Sequence, residues 1–415
     1  MIKNRLAHLG LAMAAIGFTA AMPVMGLSTA VAAETLRAEI GGPLQTAQKM
    51  MAQGNARGAL GELRKLDSVG NKSANESYLI ERVRAAAASS AGDYDMAAHS
   101  FETLIASGRL SAAESAKFSE GLVGIYMRAK EYAKANAAIN KALAKGDDPH
   151  LRAFLIQNYV SMGNIGEATR LIQADLRSAE KSGRAPSEEQ LRMLANLQNV
   201  KGDKEGYVST IEKLATYYPQ ASYWADLLNR VTGKPGFAAS RLSIDVMRLK
   251  QANNLLKKPA EYMELAQLVL RDGAAGEAIK VVERGYKAGV LGVGAEAPRH
   301  QRLKDLADKT LAEGNKNLAV NEAALTKAGD NDGLLNLGYA LVQSGQADKG
   351  LKMMEAAVKT ERLKNPEDGK LRLGEAYAAA GKKSQAIATL KTVGGKDGTA
   401  ELARYWIMAI NHPMS

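Results

Sequence analysis

The side chains that could do acid–base, nucleophilic or metal chemistry are thinly spread along this sequence. There is no cysteine, which excludes thiol catalysis, cysteine-bound metal, disulfides and a lipid anchor attached through cysteine. His8 lies in an N-terminal leader. His99, His150, His300 and His412 are far apart, and none has a second histidine or a carboxylate at the spacing of a metal motif such as His-Glu-x-x-His. Ser178 and Lys181 have the spacing of the serine and lysine of penicillin-recognising enzymes, but the companion motifs are missing and Ser178–Ser187 reads as a connector. The stretch from Gly289 contains a glycine pair, Gly292 and Gly294, but lacks the third glycine and the preceding strand of a dinucleotide loop, so it too reads as a connector. Glu277, Lys280, Glu283, Arg284 and Lys287 alternate in sign at three- and four-residue spacings, the pattern of a solvated helix face in which each pair stabilises by a few tenths of a kcal/mol. No catalytic residue, metal ligand or cofactor site is assigned, and the chain reads as non-enzymatic.

What recurs instead is a layout. Leu373-Gly374-Glu375-Ala376-Tyr377 is followed by Gly381, Ala386 and Leu390; Leu337-Gly338-Tyr339-Ala340-Leu341 is followed by Gly345, Gly350, Met354 and Ala357. Gly345 and Gly381 are 36 residues apart, and Gly273 lies twice that distance before Gly345. A period of this size, with apolar positions three and four apart on both sides of each glycine, predicts an all-α solenoid of paired helices. Turns are expected near Gly54, Gly92, Lys130, Gly163, Gly202, Pro235, Gly273, Gly314, Gly345 and Gly381, giving about ten helix pairs.

Small residues mark where the two helices of a pair must approach closely. Gly338 and Gly374, with Ala47, Ala85, Ala195, Ala266 and Ala307 in other copies, are expected to face Ala59, Ala97, Ala135, Ala168, Ala278, Ala319 and Ala386 on the second helix. Phe101, Ile139, Ile172, Ile211, Val282 and Leu390 then fill the space towards the next pair.

Lys3 and Arg5 precede an uncharged stretch from Leu9 to about Ala30, and Val31-Ala32-Ala33 follows, which predicts a signal peptide over 1–33 cleaved near Ala33. The alternative is an uncleaved anchor in the inner membrane. An exported bacterial chain without cysteine is expected in the periplasm. The formal net charge of +11 becomes about +9 without Lys3 and Arg5, a balance that draws in acidic polymers or anionic membrane surfaces. Export, and the lack of a basic run interleaved with aromatics, argue against nucleic acid as a partner.

The spacings of Leu373, Gly374, Tyr377, Gly381, Ala386 and Leu390, with Trp224, Leu227, Leu228 and Pro219 at further positions of the pattern, resemble the tetratricopeptide repeat, a unit of about 34 residues. The resemblance implies a right-handed superhelical α-solenoid. It is strongest over 259–286, 331–358 and 367–394, moderate from Ala85 to Leu176 and weak at both ends. It frames an N-terminal array over 34–232, a C-terminal array over 233–398 broken from the first near Gly233-Lys234-Pro235-Gly236, and a capping helix and tail over 399–415. Turn spacings of about 31 to 41 put longer connectors at Ser178–Ser187 and Gly285–Pro298.

In this family the first helix of each pair lines the concave groove. Carried over, the candidate binding residues are Arg192, Asn196 and Asn199; Met263 and Gln267; Leu335 and Tyr339; and Leu371 and Glu375. Arg192 and Asn196 resemble half of a carboxylate clamp, but Asp226 stands where its amide partner belongs. The function this implies is a periplasmic scaffold that binds protein segments within a cell-envelope assembly. The alternatives are an adaptor for an acidic envelope polymer or membrane face, and an accessory subunit of an envelope enzyme or of an export or energy-transducing complex.

Overall fold

The computed structural model describes residues 36–144 and 146–414; the expected signal peptide or anchor lies outside the described residues. Every regular element among them is helical. The chain divides into two compact units, up to Leu171 and from Ile172 onward. The first holds α1 (Ala38–Ala52), α2 (Ala56–Lys65), α3 (Ala74–Ala91), α4 (Tyr94–Ala106), α5 (Ala112–Arg128), α6 (Tyr132–Leu143) and α7 (Pro149–Ser161), and the division falls inside α8 (Ile165–Lys181). The second holds α9 (Glu188–Lys201), α10 (Lys204–Tyr217), α11 (Ala221–Thr232), α12 (Ala239–Ala252), α13 (Pro259–Arg271), α14 (Ala275–Lys287) and α15 (Ala297–Lys316). It continues through α16 (Leu318–Ala328), α17 (Asn331–Gln343), α18 (Ala347–Lys359), α19 (Pro366–Ala379), α20 (Lys383–Leu390) and α21 (Thr399–Asn411).

Consecutive helices pack as hairpins: α1 on α2, α3 on α4, α5 on α6, α9 on α10, α13 on α14, α17 on α18 and α19 on α20. Gly54, Gly92, Gly163, Gly202, Gly273, Gly345 and Gly381 all take φ between +72° and +91°, the left-handed conformation that reverses a chain after a helix and that a Cβ disfavours. Lys130 does the same at +62°. The helix starts are fixed locally as well. Ser73 and Ser111 cap α3 and α5 through reciprocal hydrogen bonds with Glu76 and Glu114.

The small residues sit where expected. Ala59, Ala97, Ala135, Ala168, Ala278 and Ala386 are fully buried, as are Ala47, Ala266 and Ala307. A Cβ on Gly338 would come 2.7 Å from the carbonyl oxygen of Gly350, and one on Gly374 would come 2.5 Å from Leu390 Cγ. In the first unit this packing makes a core from Ile40, Leu63, Ile80, Phe101 and Phe118, with the two phenylalanine rings 5.1 Å apart.

Three boundaries differ from expectation. Gly314 does not turn the chain: α15 runs on to Lys316, α16 follows after Asn317 alone, and Ala319 is exposed. The reason is in the backbone, since neither Gly314 nor Asn317 takes the positive φ that closes the other hairpins. Ser178 belongs to α8, so that connector starts only after Lys181, and the other runs from Ala288 to Glu296. The division into compact units falls between Leu171 and Ile172, and helices on both sides of Gly233 pack on α21.

α21 covers α19 and α20, the end of the array, as a capping helix should. It also reaches back across the second unit. It packs on α12, its Tyr405 ring meets Trp224 of α11 edge-on at 6.4 Å, and Arg404 pairs with Glu212 of α10 at 3.0 Å. Lys234 pairs with Glu401, and Arg241 of α12 pairs with both Asp368 and Asp397. The second unit therefore closes on itself, and the inward faces of α12, α14, α17 and α19 look at one another.

Candidate functional site

The centre of that closed unit is charged. Arg248 of α12 is 5% exposed and forks onto Glu277 of α14, Nε donating to Oε1 at 2.9 Å and Nη2 to Oε2 at 2.7 Å. Its Nη1 lies 3.4 Å from Asp245 Oδ1 and 3.6 Å from Glu375 Oε2 of α19, and its guanidinium stacks 4.0 Å from the centre of the Tyr339 ring of α17. Arg372, one turn before Glu375, places Nε 3.5 Å from Asp245 Oδ1 and donates from Nη2 to the Arg241 carbonyl at 3.2 Å. Asp245, Glu277, Tyr339 and Glu375 are all buried.

Burial decides the protonation of this group. It pushes the Glu375 carboxyl well up, with Asp245 adding to the push and Arg248 and Arg372 opposing it. Burial raises Asp245 in the same way, against Arg372 and Arg248. Burial alone would lower Arg248, yet Glu277, Tyr339 and Glu375 hold it above its ordinary value. The arrangement keeps a guanidinium charged among buried carboxyls and pushes Glu375 towards its protonated form. Such a set can receive a charge; no nucleophile with an adjacent base is part of it.

The candidate residues divide into two groups. Met263, Leu335, Tyr339, Leu371 and Glu375 are buried rather than lining an open face, because the second unit folds its inward positions against one another. Gln267 stays exposed. On α9, Arg192, Asn196 and Asn199 face solvent, as does Glu189, with Val200 64% exposed beside them. Arg192 is already engaged, pairing with Glu188 at 2.8 Å and donating to the Tyr223 hydroxyl at 2.8 Å, while Asp226 pairs with Arg230 at 3.1 Å. A carboxylate clamp is therefore not assembled there.

Glu277 corrects a sequence reading, being 6% exposed and bound to Arg248 rather than solvated. Asp245 and Arg248 were missed, although a signal existed: they interrupt Ile244-Asp245-Val246-Met247-Arg248-Leu249, a stretch of α12 in which every residue is buried. The histidines stay separate. His300 is buried and its Nδ1 accepts from the Gly292 N–H at 3.2 Å, which fastens the glycine connector to α15. Among the described residues no grouping of His, Asp and Glu is arranged to hold a metal, and no helix is long and apolar enough to cross a membrane.

Paired helices with small residues at their crossings define a helical-repeat array. The family profile for the tetratricopeptide repeat matches residues 83–149 and 335–395, so each unit contains a stretch that matches that repeat. No curated protein sequence matches the chain. Among solved structures it is similar to Naa15/Naa10 bound to HypK-THB, at 14% identity and TM-score 0.32, covering 85% of this chain and 63% of that one. It is also similar to the maize pentatricopeptide repeat protein PPR10, at 15% identity and TM-score 0.32, covering 97% and 65%. Yeast Tom70 matches at 11% identity and TM-score 0.23, covering 89% and 95%. The chain thus spans less than two thirds of the first two.

Proposed function

We propose that this protein is a periplasmic scaffold that holds a segment of a partner protein within a cell-envelope assembly. The observation that supports it is the solvent-facing row Glu189, Arg192, Asn196 and Asn199 on the first helix of a repeat hairpin, the face by which helical repeats engage extended or helical segments. Its polar side chains supply hydrogen bonds and Val200 an apolar edge. The basic leader and small-x-small site near Ala33 support export. A photo-crosslinker at Asn196 or Asn199 should trap one defined envelope protein in cells, and Asn196→Ala with Asn199→Ala should weaken capture of that protein by roughly tenfold, about 1.4 kcal/mol. Capture unchanged by these substitutions would remove α9 from the interface.

The charge of about +9 that remains without Lys3 and Arg5 favours a second reading, an adaptor for an acidic polymer or anionic membrane face. Binding to anionic vesicles that falls steeply with salt, at unchanged protein capture, would select it.

A further inference from the structure

Nothing in scaffold binding requires the interior of the second unit, yet that interior holds a cavity of about 430 Å³ walled by α12, α14, α17, α19 and α21. The size is that of a small-molecule pocket. Glu375 lines it at 2% exposure, and no protein donor makes a hydrogen bond to either carboxyl oxygen. Its closest cation, Arg248 Nη1, stands at 3.6 Å, beyond hydrogen-bond reach. The Trp406 indole N–H lines the same cavity, is buried, and donates to no protein acceptor. An unmatched buried polar group costs about 1–3 kcal/mol, so an acceptor and a donor on residues that line one cavity are groups that a ligand reaching them would satisfy.

The charges define what that ligand is. Three carboxyl groups, on Asp245, Glu277 and Glu375, surround two guanidiniums, on Arg248 and Arg372. One further positive charge balances the set. Without it burial and Asp245 push the Glu375 carboxyl well up; it faces Asp245 and Arg248 from α12, Glu277 from α14, Tyr339 from α17 and Arg372 on its own helix, while α21 contributes only the neutral Trp406. At the cavity wall Lys280 and Arg284 are exposed. They repel a ligand whose whole charge is positive and attract one with a carboxylate beside its cation.

We propose that this cavity binds a small ammonium–carboxylate zwitterion, a free amino acid or dipeptide, with the ammonium donating to Glu375 and the carboxylate placed towards Trp406, Lys280 and Arg284. On binding, the ammonium replaces the Glu375 proton, which leaves to solvent. The site does not depend on the α9 row, so either can fail alone.

The test is calorimetric titration of the full chain with each standard amino acid and with glycylglycine, against N-acetylglycine, ethylammonium and acetate. Saturable binding is expected for a zwitterion, weakened at least tenfold by N-acetylation, with proton release visible as a dependence of the heat on the buffer. Glu375→Gln, which keeps the shape and removes the charge, should lower affinity at least tenfold. Lys280→Ala, an exposed substitution that leaves folding intact, should lower it two- to fivefold. Trp406→Phe should weaken the zwitterion more than ethylammonium. No binding by any zwitterion would show that the cavity holds water only and would overturn the proposal. So would acetate binding as tightly as the zwitterion, or Glu375→Gln leaving affinity unchanged.

Discussion

The two units are built from the same repeat and bury opposite things. Among the described residues of the first unit, Glu76 is the one buried carboxylate, and it sits at a helix start where Ser73 and Arg37 hold it. The second unit buries four, Asp245, Glu277, Asp368 and Glu375, in contacts between helices far apart in sequence. Small residues at helix crossings are enough to propagate a stack. Where the array closes, its inward face becomes an interior, and the polar side chains that an open groove would show to water must pair with one another.

The sharpest way to break this comparison is Arg248→Ala. It strips the cation from Asp245, Glu277 and Glu375 together, and losing one partner of a buried ion network costs about 3–5 kcal/mol. Trp224 and Trp406 both belong to the second unit, so tryptophan fluorescence during urea unfolding reads that loss directly. Amide protection in α3 and α4 should stay unchanged; equal losses in both units would abolish the distinction.

A smaller effect is expected at the crossings. Gly338→Ala pushes a methyl against the Gly350 carbonyl and should cost about 1–3 kcal/mol. The corresponding small residue of α3, Ala85, already accommodates its methyl, so Ala85→Gly should cost about 1 kcal/mol, from helix propensity.

The smallest effect is the opposite response to pH. Arg37 and then the Ser73 N–H hold Glu76 at about 2, below the ordinary 4.5, so its stabilisation is present above 4.5 and is lost as pH falls through about 2. Glu375 is raised, so its contribution is present below the ordinary 4.5 and is lost as pH rises through its folded value. Glu375→Gln should flatten the high-pH decline seen by fluorescence, and Glu76→Gln the low-pH decline in α3 protection. A single pH profile shared by both units would contradict the assignment.

The repeat was legible because its cues are local. Turn glycines with positive φ and alanines three and four residues from bulky neighbours act within one hairpin. Gly314 misled because its spacing fits the period while its backbone stays helical. The inner site was largely hidden: Glu277 beside Lys280 looks like any solvated helix pair, and its partner Arg248 belongs to a different helix. Glu375 lies more than a hundred residues from Asp245, and no period within one repeat says that α19 returns to α12. The buried row Ile244–Leu249 is the exception, since two charges inside an apolar run require partners.

An open stack can gain or lose a helix pair by gene duplication or deletion, since each pair touches only its neighbours. Contact of α21 with α10, α11 and α12 forbids this in the second unit. One pair more or fewer would carry the last helix past its seat, so the number of helices there is set by the need to meet, and divergence is confined to side chains.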